Sequence, residues 1–289
     1  MNQFHRIGVI GLGTMGSGIA QVFAASGRDV VAVEADPTRA EAGIAALNAF
    51  LDGGVARGKV SAEEKTATLA RVTTSTTPND LAGVDLVIES VTENPEVKRE
   101  VLAAVAAAVG DRTPIVTNTS ALSVTALAAS LPNPTRVAGL HFFNPAPVMR
   151  TVEVVRALQT SQDLVEGLVA LVGTLDGKQP VVVRDRPGFL INALLLPYLN
   201  DVIQEYDDGL ATAEDIDLAL KLGLGYRSGP LEMLDMIGLD VHLHATESAY
   251  AATSDARYAP PPLLRQMVAA GHLGTKNGKG FRTGEESTR

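Results

Sequence analysis

Along the first 185 residues, short apolar runs rich in β-branched side chains alternate with Ala-rich stretches whose apolar positions recur every three to four residues. That alternation is the signature of strands joined by crossover helices. The runs at 6–10, 30–34, 86–90, 115–118, 136–140 and 181–183 predict buried strands. The stretches at 14–26, 37–57, 61–71, 96–109, 124–129 and 161–175 predict helices. After the charged junction Arg184-Asp185-Arg186-Pro187-Gly188 the β-branched runs stop. From there 189–207, 212–222, 229–250 and 262–270 predict helices, with a kink expected at Pro197. The chain therefore divides into an α/β domain with a mainly parallel sheet at 1–185 and a smaller all-helical domain at 186–289. The Thr-rich stretch 73–77 and the prolines 260–262 read as turns, and there is no internal repeat.

The first strand runs into Gly11-Leu12-Gly13-Thr14-Met15-Gly16, which opens the first helix. A glycine-rich turn in that context is the dinucleotide fingerprint of a Rossmann-type domain. Gly11 allows the tight turn, Gly13 lets backbone approach a pyrophosphate, and Gly16 lets helix and strand pack closely. The helix N-terminus then faces the negative charge. Glu34, at the end of the second strand, is placed for the adenosine ribose hydroxyls and repels a 2′-phosphate, so NAD is expected rather than NADP. Arg28 and Arg39 lie nearby and are the residues that would serve NADP.

Composition narrows the choice of partner. Twenty-four Lys and Arg against 33 Asp and Glu give a formal charge of −9, which excludes broad electrostatic capture of nucleic acid or an anionic membrane. An anionic ligand must be held locally. The chain has no cysteine, so disulfides, thiolate metal sites and a cysteine nucleophile are all excluded, and no metal site is expected. His5-Arg6 before the apolar stretch 7–25 has the outline of a signal peptide, but glycines such as Gly8, Gly11, Gly13 and Gly16 weaken that reading. A cytoplasmic chain without membrane attachment is expected.

Histidine is then the natural proton carrier. His141 follows the strand 136–140 and should project at a carboxyl end of the sheet, where open α/β sheets bind ligands. His5, His242, His244 and His272 read as surface or packing residues. Glu153 lies in the alternating stretch Thr151-Val152-Glu153-Val154-Val155 and could orient His141 and stabilise its imidazolium, or it could be a surface carboxylate. Ser120 in Asn118-Thr119-Ser120 follows another strand. It would either bond a substrate or cap the next helix. Asn192, early in the apolar helix after the junction, would either orient substrate or tie the two domains together.

Taken together, Gly11 to Gln21, Asn118-Thr119-Ser120, His141-Phe142-Phe143-Asn144-Pro145-Ala146-Pro147-Val148-Met149 and Pro187-Gly188-Phe189 resemble the 3-hydroxyacyl-CoA dehydrogenase family. Gly229-Pro230-Leu231-Glu232 and Gly274-Thr275-Lys276-Asn277-Gly278-Lys279-Gly280-Phe281 extend the resemblance over almost the whole chain. The resemblance implies that His141 is the general base, that Glu153 orients it, and that Ser120 and Asn192 contact the substrate, with Asn144 supporting the same site. It also implies that Glu34, Glu93 and Lys98 serve NAD and that Lys59 lies near the CoA phosphates. Glu34 stands where the family more often has Asp. Tyr226-Arg227-Ser228 and Phe281-Arg282-Thr283 also depart from the family pattern, which bears on chain length or subunit contacts. The expected activity is NAD-dependent, reversible oxidation of a short (3S)-3-hydroxyacyl-CoA. Two alternatives are a dehydrogenase of a small non-CoA hydroxy acid, of carnitine or gulonate type, and a catalytically silent NAD-binding protein. The 3-hydroxyisobutyrate type is disfavoured, because no glycine cluster followed by lysine occurs between Leu158 and Lys178. Apolar positions in 189–199 and 229–243 suggest a homodimer.

Overall fold

The computed structural model describes residues 4–282 and divides into two compact units, Met1–Phe189 and Leu190–Arg289. In the first, eight strands form one sheet in the order β3-β2-β1-β4-β5-β6-β7-β8. These are β1 (Arg6–Ile10), β2 (Asp29–Val33), β3 (Val72–Ser75), β4 (Leu86–Glu89), β5 (Ile115–Thr117), β6 (Val137–Phe142), β7 (Thr151–Arg156) and β8 (Gln179–Arg184). The first six are parallel, while β7 runs antiparallel to β6 and β8 runs parallel to β7. The order reverses between β1 and β4, the switch point at which such sheets open a ligand crevice.

Helices α1 (Thr14–Ala25), α2 (Pro37–Ala56), α3 (Ala62–Ala70), α4 (Pro95–Ala108), α5 (Val124–Ala129) and α6 (Gln162–Gly173) join these strands. Strand alternation splits the apolar residues between two cores. Ile7, Val9, Leu86, Ile88, Leu140 and Val154 pack with Ile19 and Phe23 of α1, Leu47 of α2 and Leu168 of α6. Ile10, Val87, Ile115 and Val137 pack on the other face with Leu102 of α4 and Leu127 of α5. Asp185 in the charged junction caps α5, accepting from the Ser123 hydroxyl at 2.9 Å and from the Val124 and Thr125 amides.

The second unit contains α7 (Ile191–Asp207), α8 (Ala213–Leu224), α9 (Pro230–Ile237), α10 (Leu239–Thr253) and α11 (Pro262–Ala269). Pro197 does not end α7. Its missing N–H deprives the Ala193 carbonyl of a helical donor, and the Tyr258 hydroxyl supplies one instead at 3.1 Å. Two aspartates hold the segments 229–232 and 274–281 that extend the resemblance. Asp217 accepts from the Leu231 and Glu232 amides at the start of α9, and Asp235 accepts from those of Phe281 and Arg282. A Cβ on Gly280 would fall 2.0 Å from Asp235 Oδ1, so only glycine fits there.

Three sequence expectations need correcting. The Thr-rich stretch is not a turn, since Val72–Ser75 pairs with β2 as a half-exposed edge strand whose polar side chains concealed it. The single helix expected over 229–250 breaks at Gly238, whose φ of 98° lies outside helical space. The strand expected at 136–140 runs on to Phe142, because β7 supplies a partner for two more residues, so His141 lies inside the strand. Thr283, the last residue of the departure Phe281-Arg282-Thr283, lies outside the described residues.

Candidate active site

The cleft at the switch point has a volume of about 920 Å³ and is lined by Gly11, Gly13, Thr14, Glu34, Arg39, Val91, Asn144 and Ala146, among others. Its glycines differ in what they require. Gly11 has φ 91°, and a Cβ on Gly16 would sit 1.7 Å from the Gly11 carbonyl oxygen. Those two positions are fixed by the protein's own packing. A Cβ on Gly13 would meet nothing within 4 Å, so only a ligand needs that face bare. Gly13 also starts α1 with no side-chain cap and no acidic residue in the first turn, leaving amide donors for a pyrophosphate. Glu34 Oε2 accepts from the Leu12 amide at 3.1 Å, which ties this carboxylate to the glycine loop. These residues fit NAD.

Other residues have different employment. Arg28 is spent on the Phe4 carbonyl and the Ser26 and Thr174 hydroxyls, which leaves Arg39 on the cleft. Met15 packs against the first core rather than lining the cleft. Lys98, expected to serve the cofactor, is 1% exposed, and its ammonium contacts Glu89 at 2.7 Å, the Val91 carbonyl at 3.2 Å and Glu93 at 3.3 Å. Two of the ammonium's three protons go to Glu89 and the Val91 carbonyl and its charge faces Glu93, so Lys98 is held by protein groups. Glu93 is also committed. It accepts from the Thr119 hydroxyl and from the Ser120 and Ala121 amides at 2.9 and 3.1 Å. Burial pushes this carboxyl up, but Lys98 and those three donors outweigh it and hold it below the usual range.

The 118–122 turn is thus built by charge. Asn118 Oδ1 accepts from the Phe142 amide at 2.8 Å, linking the turn to the end of β6. Ser123, not Ser120, caps α5. With its amide on Glu93, Ser120 makes no hydroxyl hydrogen bond to the described residues, so the capping alternative falls away.

On β6, Ala138, Leu140 and Phe142 enter the first core, so alternation turns His141 to the opposite face. There the antiparallel register sets Glu153 directly across from it. His141 Nδ1 lies 2.7 Å from Glu153 Oε2, with the residues 5% and 0% exposed. The rings of Phe143 and Phe189 pack against the imidazole at 4.5 and 5.5 Å between centroids. Accepting at the carboxylate requires a proton on Nδ1, and Nε2 makes no hydrogen bond to the described residues. The pair can therefore take a proton at Nε2 and stabilise the resulting cation.

Of the remaining candidates, Asn144 lines the cleft, Lys59 is exposed after α2, and Asn192 is half-buried in the first turn of α7 in the second unit.

Comparison with known proteins settles the ancestry. Residues 6–186 match the family model described as 3-hydroxyacyl-CoA dehydrogenase, NAD binding domain, and residues 188–284 match its C-terminal domain. The chain belongs to the 3-hydroxyacyl-CoA dehydrogenase family. It is 41% identical over 280 residues to a 3-hydroxybutyryl-CoA dehydrogenase of Mycobacterium tuberculosis, covering 96% of this chain and 98% of that one. It is 43% identical over 282 residues to a 3-hydroxyadipyl-CoA dehydrogenase of Escherichia coli, covering 97% of this chain and 59% of that one. Among solved structures, the (S)-3-hydroxybutyryl-CoA dehydrogenase of Ralstonia eutropha superposes with a TM-score of 0.92 at 41% identity, covering 98% and 100% of the two chains.

This 3-hydroxyacyl-CoA dehydrogenase family member is thus an oxidoreductase with an NAD-binding domain. Among the described residues no helix is long and apolar enough to cross a membrane. Sequence reasoning missed Glu89 and Thr117, which bond each other at 2.7 Å beneath the 118–122 turn. An acidic residue ending the apolar run Leu86–Glu89 was the available signal, because a charge buried on a central strand needs a built partner.

Proposed function

We propose that this chain interconverts a short (3S)-3-hydroxyacyl-CoA and its 3-ketoacyl-CoA, with 3-hydroxybutyryl-CoA as the expected substrate. The observation that carries the reading is the buried His141–Glu153 pair with Nε2 left open. In oxidation, Nε2 of His141 takes the proton of the C3 hydroxyl, and Glu153 stabilises the imidazolium through Nδ1. Bound NAD supplies the hydride acceptor. Ser120, with its hydroxyl uncommitted, orients the substrate oxygen, and Asn144 and Asn192 complete the substrate contacts. Lys59 serves the CoA phosphates as a local cation on a chain of net charge −9.

Acetoacetyl-CoA reduction followed through NADH absorbance tests the reading, with NADPH in place of NADH, and NAD-dependent oxidation of free carnitine and gulonate, in parallel. Turnover of acetoacetyl-CoA well above the others is expected. Preference for a free hydroxy acid would move the chain to the non-CoA alternative, and NADH binding without any turnover would make it a silent binder.

The same proposal places the protein in the cytoplasm as a homodimer. Leu194, Met236 and Val241, which are 68%, 59% and 52% exposed, leave apolar area uncovered on the second unit. Analytical ultracentrifugation at micromolar concentration should give twice the chain mass, and a single-chain mass would refute the dimer.

A further inference from the structure

The loop 143–150 between β6 and β7 forms one wall of the cofactor cleft through Asn144, Pro145, Ala146 and Pro147. It is held from two sides. On one, α1 presents Gly18, where a Cβ would lie 3.3 Å from both Ala146 Cβ and Pro147 Cδ, so the loop rests against the helix that follows the glycine turn. On the other is Lys178, just before β8. Its Nζ donates to the Ala146 carbonyl at 2.6 Å and to the Met149 carbonyl at 2.7 Å, and the residue is 5% exposed.

The loop's own backbone explains why it needs this lysine. Within it the Pro145 carbonyl takes the amides of both Val148 and Met149, folding the segment into a tight turn. That turn leaves the Ala146 and Met149 carbonyls converging on one point, where an unpaired carbonyl would be costly. One ammonium satisfies both. Burial lowers the lysine's pKa, and Asp176 opposes that shift. Charge-assisted bonds to two carbonyls offset part of the cost of keeping the cation in such a place.

We propose that Lys178 is a positioning residue for the cofactor, clamping the 143–150 loop against α1 and so setting the width of the cleft. The proposal rests on reading that cleft as the NAD site. It assigns Lys178 no contact with substrate or cofactor, and it separates the lysine's effect from that of His141, which lies on the strand entering the loop rather than on its cleft-facing wall.

The test compares the unaltered protein with Lys178→Met, which keeps the unbranched stem one atom shorter and removes the charge, and Lys178→Gln, which keeps two donors. NADH binding is read by fluorescence titration, thermal unfolding by circular dichroism, and steady-state KM values separately for NADH and acetoacetyl-CoA. Lys178→Met should weaken NADH binding and raise KM for NADH at least tenfold. The KM for acetoacetyl-CoA should rise less than that for NADH, since Asn144 alone of the proposed substrate contacts sits on this loop, and kcat at saturating NADH should stay within about threefold, with Lys178→Gln intermediate. A loss of melting temperature with NADH binding unchanged would reduce Lys178 to a structural prop and overturn the proposal. If Lys178→Met does not fold, Lys178→Gln decides alone, and its binding NADH as tightly as the unaltered protein overturns the clamp. Failure of the unaltered protein to bind NADH would instead remove the cleft reading, and the clamp with it.

Discussion

Two histidines, one in each unit, are almost equally buried and chemically opposite. His141 is 5% exposed and faces a carboxylate, whereas His242 is 2% exposed and faces an amide. His242 Nε2 lies 3.0 Å from Asn200 Oδ1, the same amide donates to the Thr246 hydroxyl, and that hydroxyl donates to the Tyr258 carbonyl. With every partner neutral, burial pushes His242 down to about 4. Burial alone therefore takes a histidine out of proton chemistry. An opposed carboxylate on a paired strand gives the buried proton a place to reside.

The sharpest way to break this contrast is to remove the imidazole. His141→Gln should lower kcat by about 10² to 10⁴, the range for a lost general acid–base group, while NADH binding stays within twofold. Single-turnover reduction of acetoacetyl-CoA beside NADH titration checks both halves, and full activity would end the assignment. Glu153→Gln is the next step down. The amide oxygen still accepts from Nδ1–H but no longer carries the charge that stabilises imidazolium, so kcat should fall about 10²-fold with a changed pH profile. An unchanged profile would show that Glu153 contributes only packing.

The sequence carried one member of each pair of facts needed for these assignments. Glycine spacing, β-branched runs and Ala content displayed the parallel core, because those signals are local. His141 and Glu153 were each visible as candidates, but their pairing depends on the antiparallel register of β6 and β7, which no local pattern encodes. The same limit explains Lys98. Its charge drew it toward the cofactor by resemblance, whereas Glu89, nine positions away across a strand-to-helix turn, already holds it. Edge strand β3 was missed for the opposite reason, since its outward Thr side chains carry the polarity of a turn. Ser120 escaped its capping alternative only through geometry, as Ser123 three residues later also fits the capping pattern and is the residue that bonds the Ala126 amide.

The mildest effect on turnover is expected at His242, and it sharpens the comparison from the other side. Its folded pKa lies below the unfolded value near 6.5, so the native state favours the neutral ring and the unfolded state takes up the proton first. The stability this provides is complete above pH 6.5, declines as the pH falls, and is lost once the pH passes below about 4. Its full size is about 3 kcal/mol, from about 1.4 kcal/mol for each unit between the two values. Urea unfolding between pH 7.5 and 4 should therefore show a steeper acid loss for the unaltered protein than for His242→Gln, whose amide still donates to Asn200 Oδ1 but does not titrate. Since the His242 ring bonds, among the described residues, to Asn200 of the helical unit's Asn200–Thr246–Tyr258 network, kcat and NADH affinity should stay within twofold at neutral pH. Parallel acid curves for the two proteins would mean that His242 protonates in place, and burial would then no longer be what separates it from His141.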